Sequence, residues 1–238
     1  MRLELLRVAA TRNEIAVLRY VPRRPRGLAL VVAHGYSSSK QNLDPLCAFL
    51  AAHGFELFSL DFPGHKLGAS GGRLHDFEEC LDTMASVTRS ARSECGDPIL
   101  LGHSLGAVTA LVCAARDPAI PGVVAIATGY RRPAALDALQ RNVTVDLRAA
   151  YVDGPSLPEL FAGVDERLDE ALPLLAGRPA LYVAAERDAM VPPSSVKELY
   201  ERAPEPKRFA RVESNHTAAG EHARTPVLQW LNELQPRT

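Results

Sequence analysis

Along the chain, short and almost uninterrupted apolar runs alternate with longer amphipathic stretches. The runs are EIAVLRYV (14–21), LALVVA (28–33), FELFSLD (55–61), PILLG (98–102), VVAIAT (123–128), ALYVAA (180–185) and KRFARVE (207–213). Runs that are apolar at successive positions suit strands covered on both faces. Between them, residues 75–95 place Phe77, Cys80, Leu81, Met84, Val87 and Ala91 at three- and four-residue steps, which predicts one buried helix face. Asp76 with Glu79 three residues on predicts a capping box at its start, and Gly96 its stop. A last helix over about 220–234 turns Val227, Leu228, Trp230, Leu231 and Leu234 toward a core. This alternation predicts an α/β fold: a mostly parallel central sheet with helices on both faces. Sites in such sheets form where loops leave the carboxyl ends of strands.

One segment breaks the rhythm. Residues 131–155 are polar, mixed in charge and weakly periodic, and a more helical stretch follows to 175. Together, 131–175 is expected to form a small cap over the carboxyl edge of the sheet; the plainer alternative is two surface helices and a long loop. At 238 residues the chain is read as a single domain, 1–238, with that cap inserted.

A formal net charge of −1 gives no basic excess to draw nucleic acid or an anionic membrane, so neither is an expected partner. The N-terminal stretch interleaves charge with apolar residues, unlike a secretory signal. The apolar runs are too short to span a bilayer, so a cytoplasmic location is expected. Cys47, Cys80, Cys95 and Cys113 lack metal-ligand spacing. They are read as small buried hydrophobes of a reducing compartment, although an even number leaves a disulfide open. No metal site and no cofactor is expected, and the sequence does not give the oligomeric state.

The candidate chemistry lies in LLGHSLGAVTAL (100–111), where Ser104 stands between Gly102 and Gly106 at a strand-to-helix junction. A serine hydroxyl is a poor nucleophile unless it is presented clear of the backbone beside a base. A sharp turn presents it, and glycines two positions to either side relieve crowding around the strained serine. The helix start adds free amides facing developing negative charge. The competing reading is Ser104 as an ordinary helix N-cap.

In this context Gly102-His103-Ser104-Leu105-Gly106 resembles the nucleophile elbow of the α/β-hydrolase family. The resemblance runs from the strand before His34 to the helix after His216. It implies the chain order nucleophile, acid, base. The acid then falls on Asp188, just past the ALYVAA strand, rather than on nearby Glu186. The base falls on His216, in the loop after the last strand. His103 is expected to point away from the serine into the elbow. The implied oxyanion donors are the amides of Leu105 and Tyr36, with Gly35 letting the backbone approach substrate. DFPGHKLGASGG (61–72) is similar to a glycine-containing loop of the family, with Lys66 where the second glycine usually stands; Asp61 is read as a turn-former rather than a catalytic carboxylate.

The implied activity is hydrolysis of small to medium carboxylic esters through an acyl-enzyme, with a small-molecule ester as partner. The resemblance extends to dienelactone-hydrolase-like esterases and serine aminopeptidases. A peptidase, amidase or thioesterase on the same triad is the alternative. Asp137, Asp146 or Asp153 would then hold a substrate amine, while Arg131 and Arg132 could meet a substrate carboxylate. A non-catalytic ligand-binding protein on the same scaffold is the reading from another class.

Overall fold

The apolar runs become strands because each must bury two faces. In β3 (Ala29–Ala33), Ala29, Val31 and Ala33 face one hydrophobic core, and Leu30 and Val32 the other. The same alternation splits Tyr182 and Ala184 from Leu181 and Val183 in β7 (Ala180–Ala185). An uninterrupted apolar run is thus the period of two, read with both faces buried. The computed structural model describes residues 1–130 and 147–235.

Among those residues the sheet has eight strands, completed by β1 (Arg2–Ala9), β2 (Glu14–Val21), β4 (Glu56–Leu60), β5 (Ile99–His103), β6 (Val123–Ile126) and β8 (Lys207–Val212). Their spatial order is β1-β2-β4-β3-β5-β6-β7-β8. The β1–β2 and β2–β4 pairs are antiparallel and every other pair is parallel. Helix α1 (Asp44–Ala52) covers one face of the sheet, and α2 (Phe77–Cys95) and α3 (Leu105–Arg116) cover the other. The predicted start of α2 is present, with Asp76 accepting from the Glu79 amide at 2.9 Å. The Glu79 carboxylate turns to the His75 amide at 2.7 Å instead of closing the box on Asp76.

Within the expected cap, the described part begins at 147. Its α4 (Leu157–Leu160) and α5 (Val164–Ala171) send Leu160, Val164 and Leu168 into the α3 side of the core. These residues anchor the described half to the main body. Beyond it come α6 (Pro193–Arg202), α7 (Ala219–His222) and α8 (Arg224–Leu234). Val227, Trp230 and Leu231 of α8 are buried as the pattern requires and Leu228 partly so, whereas Leu234, the last residue of the helix, is exposed. All four cysteines are free thiols. No described helix is long and apolar enough to cross a membrane.

The order sets β3 beside β5: from β3 the chain goes on to β4 on one side, and from β5 to β6 on the other. A crevice opens at the carboxyl ends at such a switch point. The parallel register sets Ala33 of β3 opposite Gly102 of β5, which brings the loops after both strands to one place.

Candidate active site

Ser104 is the residue at which β5 turns into α3, with φ 53° and ψ −112°. Its conformation is held by its own amide, which donates to Ile126 O at 2.9 Å, and by its carbonyl, which accepts from Ala107 N at 3.0 Å. The glycines are required for a reason different from crowding at the serine. A Cβ on Gly102 would sit 2.0 Å from Gly106 O, and one on Gly106 would sit 2.2 Å from Ala33 O. They let the two arms of the turn pack on each other and let α3 press onto the end of β3. No Cβ contact can be that short, so backbone itself would have to move.

The loop leaving β3 lies against this turn. The Gly106 amide donates to His34 O at 3.1 Å. A Cβ on Gly35 would fall 3.0 Å from His103 Nδ1 and 3.2 Å from Ser104 Cβ, so Gly35 permits the close approach. Tyr36 follows, and its amide is spent on none of the turn or loop backbone bonds. Leu105 opens α3, where an amide has no intrahelical acceptor. The Tyr36 hydroxyl donates to Pro155 O at 3.0 Å, and burial pushes its pKa up to about 12. Its ring forms part of the wall beside Ser104.

Asp188 and His216 meet because β7 and β8 stay zipped beyond their ends. Glu186 N donates to Val212 O at 3.0 Å, and Arg187 N to Ser214 O at 2.9 Å. The two following loops then close on each other, and His216 Nδ1 lies 2.7 Å from Asp188 Oδ2. The other carboxylate oxygen accepts from the amides of Met190 and Val191, both at 2.8 Å. Burial acts to raise the Asp188 pKa; the His216 hydrogen bond and charge and the two amides outweigh it, and the net shift is downward. A carboxylate only accepts, so Nδ1 of neutral His216 carries the proton and Nε2 keeps a lone pair. Glu186 is exposed and takes no part.

His103 does not turn away into the elbow as expected. Its ring packs 4.9 Å from the His216 ring, and its Nε2 donates to His216 O at 2.8 Å. It ties the His216 loop to the serine turn. Sequence carried no signal for this contact, because the two residues meet only through the closure of β8.

Ser104 and His216 line one cavity of about 360 Å³ with Tyr36, Leu157, Met190 and Arg148. No hydrogen bond joins Ser104 to His216 in this structure; such couples are often loose without substrate. Asp153 is exposed and outside this cavity, and Arg131, Arg132, Asp137 and Asp146 lie outside the described residues. Among the described residues no cluster of His, Cys, Asp and Glu could hold a metal ion.

Asp61 is more than a turn-former. It is fully buried and accepts from Lys40 N at 2.7 Å, Ala69 N at 2.7 Å and the Lys40 ammonium. This pins the loop after β3 to the loop after β4. A Cβ on Gly68 would press to 2.7 Å from the Asp61 carboxyl carbon, which accounts for the glycine there.

Three buried histidines surround these loops. Burial, reinforced by charge on neighbouring His65, lowers His34 to about 3. Burial lowers His65 to about 4, and burial with nearby His216 lowers His103 to about 3. In the unfolded chain each titrates near ~6.5. Between that value and the folded ones, the unfolded state binds protons that the folded state refuses, so stability falls as pH falls. Urea unfolding is expected to give a free energy on the order of 4 kcal/mol lower at pH 5.5 than at pH 7.5. Equal values at the two pH settings would mean that these rings protonate in place.

Comparison with known proteins fits this geometry. The profile of the Alpha/beta hydrolase family matches residues 30–233. A 2-(acetamidomethylene)succinate hydrolase of Mesorhizobium japonicum is 31% identical over 58% of this chain, and the match spans only 53% of that protein. A pimeloyl-[acyl-carrier protein] methyl ester esterase of Xanthomonas oryzae pv. oryzae is 28% identical over 70% of this chain and 79% of its own length. The crystal structure of the esterase domain from a Rhodothermus marinus protein superposes with a TM-score of 0.73 at 18% identity, covering 98% of this chain and 99% of that one. The chain belongs to the alpha/beta hydrolase family, and an esterase is among its relatives.

Proposed function

We propose that the protein hydrolyses small to medium carboxylic esters, with Ser104 as nucleophile, His216 as base and Asp188 as the acid that orients it. The observation that carries this reading is the 2.7 Å His216–Asp188 bond beside a cavity that also holds Ser104. His216 Nε2 takes the Ser104 proton as Oγ attacks the ester carbonyl carbon. The amides of Tyr36 and Leu105 stabilise the oxyanion, and the imidazolium returns its proton to the departing alcohol. Water then attacks the acyl-enzyme with His216 again as base, releasing the acid and restoring Ser104. The esterase named among the relatives supports ester rather than amide chemistry. An aminopeptidase needs a carboxylate to hold an amine, and no Asp or Glu side chain lines the cavity among the described residues.

A fluorophosphonate tests the mechanism directly. Wild-type protein should incorporate one phosphonyl group, found by peptide mass spectrometry on Ser104, and lose ester turnover in step. His216→Ala should not be labelled on the same timescale, since an unassisted hydroxyl reacts slowly. Labelling elsewhere, or full labelling of His216→Ala, would exclude the Ser104–His216 couple.

A further inference from the structure

Among the described residues, the half-buried arginines have partners, with one exception. Arg19 holds Glu56, Arg92 holds Asp97 and Asp117, Arg167 holds Glu78, and Arg178 binds the carbonyls of Ala114 and Asp117. Arg26 and Arg224 likewise have acceptors. Arg148 is also half-buried, yet among the described residues it has neither an ion pair nor a side-chain hydrogen bond. A half-buried guanidinium with no protein acceptor is left to water or to a bound anion, and its hydrogen-bonding fork is free to take one. Arg148 lines the cavity that holds Ser104 and His216.

Its position there is fixed by backbone. Residues following it are stapled to the loop after β4: Lys66 N donates to Tyr151 O at 2.9 Å, Asp153 N to Gly64 O at 2.8 Å, and Leu74 N to Asp153 O at 2.9 Å. Tyr151 N in turn bonds Arg148 O at 3.0 Å. Gly64 and Gly154 admit this contact, because a Cβ on either would strike backbone of the other strand of the staple or Leu74 within 2.7 Å. The cavity wall also includes Ser37, whose buried hydroxyl has no partner.

We infer that Arg148 is the specificity residue of the pocket and that the substrate is an ester carrying a free carboxylate, such as a half-ester of a short dicarboxylic acid. The inference rests on the ester-hydrolase reading above and narrows its substrate. The planar guanidinium fork matches a carboxylate with two parallel hydrogen bonds. Arg148 is the single cationic side chain, histidines aside, lining the cavity among the described residues, which suits one monovalent anion better than a phosphate dianion. A volume of about 360 Å³ lies at the small end of ligand sites, and so favours a short acid over a long acyl chain.

The test compares monoethyl glutarate with ethyl pentanoate, which differ by a carboxylate in place of a methyl at the acyl end. Wild-type kcat/KM should favour the glutarate ester, and the preference should shrink with added salt. In Arg148→Gln the ratio of the two kcat/KM values should fall by roughly 10- to 100-fold, the equivalent of one lost charge-assisted hydrogen-bonding group. Arg148→Lys should fall between. Glutarate should also inhibit the unmodified enzyme more strongly than pentanoate, which reads the site without any substitution. An enzyme that is labelled on Ser104 but cleaves the two esters equally, or neither, overturns the inference. So does a ratio unchanged in Arg148→Gln or equal inhibition by the two acids. Failure of Ser104 to label, with no turnover of either ester, would instead remove the ester-hydrolase reading on which the inference stands.

Discussion

Ser104→Ala is expected to lower ester turnover by on the order of a million-fold while leaving the fold intact. The size follows from the chemistry. Without Oγ no acyl-enzyme forms, and what remains is the oxyanion site and binding acting on a water attack. The fold should survive because the hydroxyl makes no hydrogen bond within the described structure. The bonds that hold the turn run through the Ser104 amide and carbonyl, which alanine keeps. At φ 53° serine already bears the strain that alanine would bear, so the backbone cost largely cancels. Kinetics on the ethyl esters, with urea unfolding and circular dichroism on the same sample, read the two effects separately. Near-normal turnover in a variant with an unchanged unfolding curve would show that the nucleophile is another group. Lost turnover with a large drop in stability would show that Ser104 is structural.

Much of this was legible in the sequence, and the exceptions have physical causes. Central strands such as β3 and β7 announce themselves because burial on both faces forces an unbroken apolar run. β1 does not: it is an edge strand, and its Leu3 and Leu5 face solvent while Leu6 and Val8 pack inward. Its pattern therefore reads as charge interleaved with leucine. The positions of Ser104, Asp188 and His216 were readable because each follows a legible strand. The partners that hold them were not. His103 reaches His216 O across 113 residues, and Lys40 reaches Asp61 across 21. Neither pairing leaves a local period or motif. Arg148 sits in a stretch whose polar composition looks like any exposed loop; only its missing partner distinguishes it.

For the acid, Asp188→Asn is expected to cut kcat by roughly ten-thousand-fold with little change in fold. The argument is one of proton placement. The Oδ1 side of Asp188 faces two donors, the Met190 and Val191 amides at 2.8 Å, so an asparagine must turn its carbonyl there. Its NH2 group then faces His216 Nδ1, where a carboxylate oxygen had accepted at 2.7 Å. A donor at that place drives the imidazole proton from Nδ1 to Nε2. With Nε2 protonated, His216 has no lone pair for the Ser104 proton. KM should change far less than kcat, because Asp188 does not line the cavity that binds the ester. Fluorophosphonate labelling of Ser104 should slow in parallel, since it needs the same proton transfer. The two amide bonds survive in the asparagine variant, so its unfolding curve should stay near wild type. Glu186→Gln, two residues away on an exposed side chain, should alter neither rate. A greater loss at Glu186 than at Asp188, or wild-type kcat in Asp188→Asn, would mean that the 2.7 Å bond to His216 does not set the tautomer on which the proposed reaction depends.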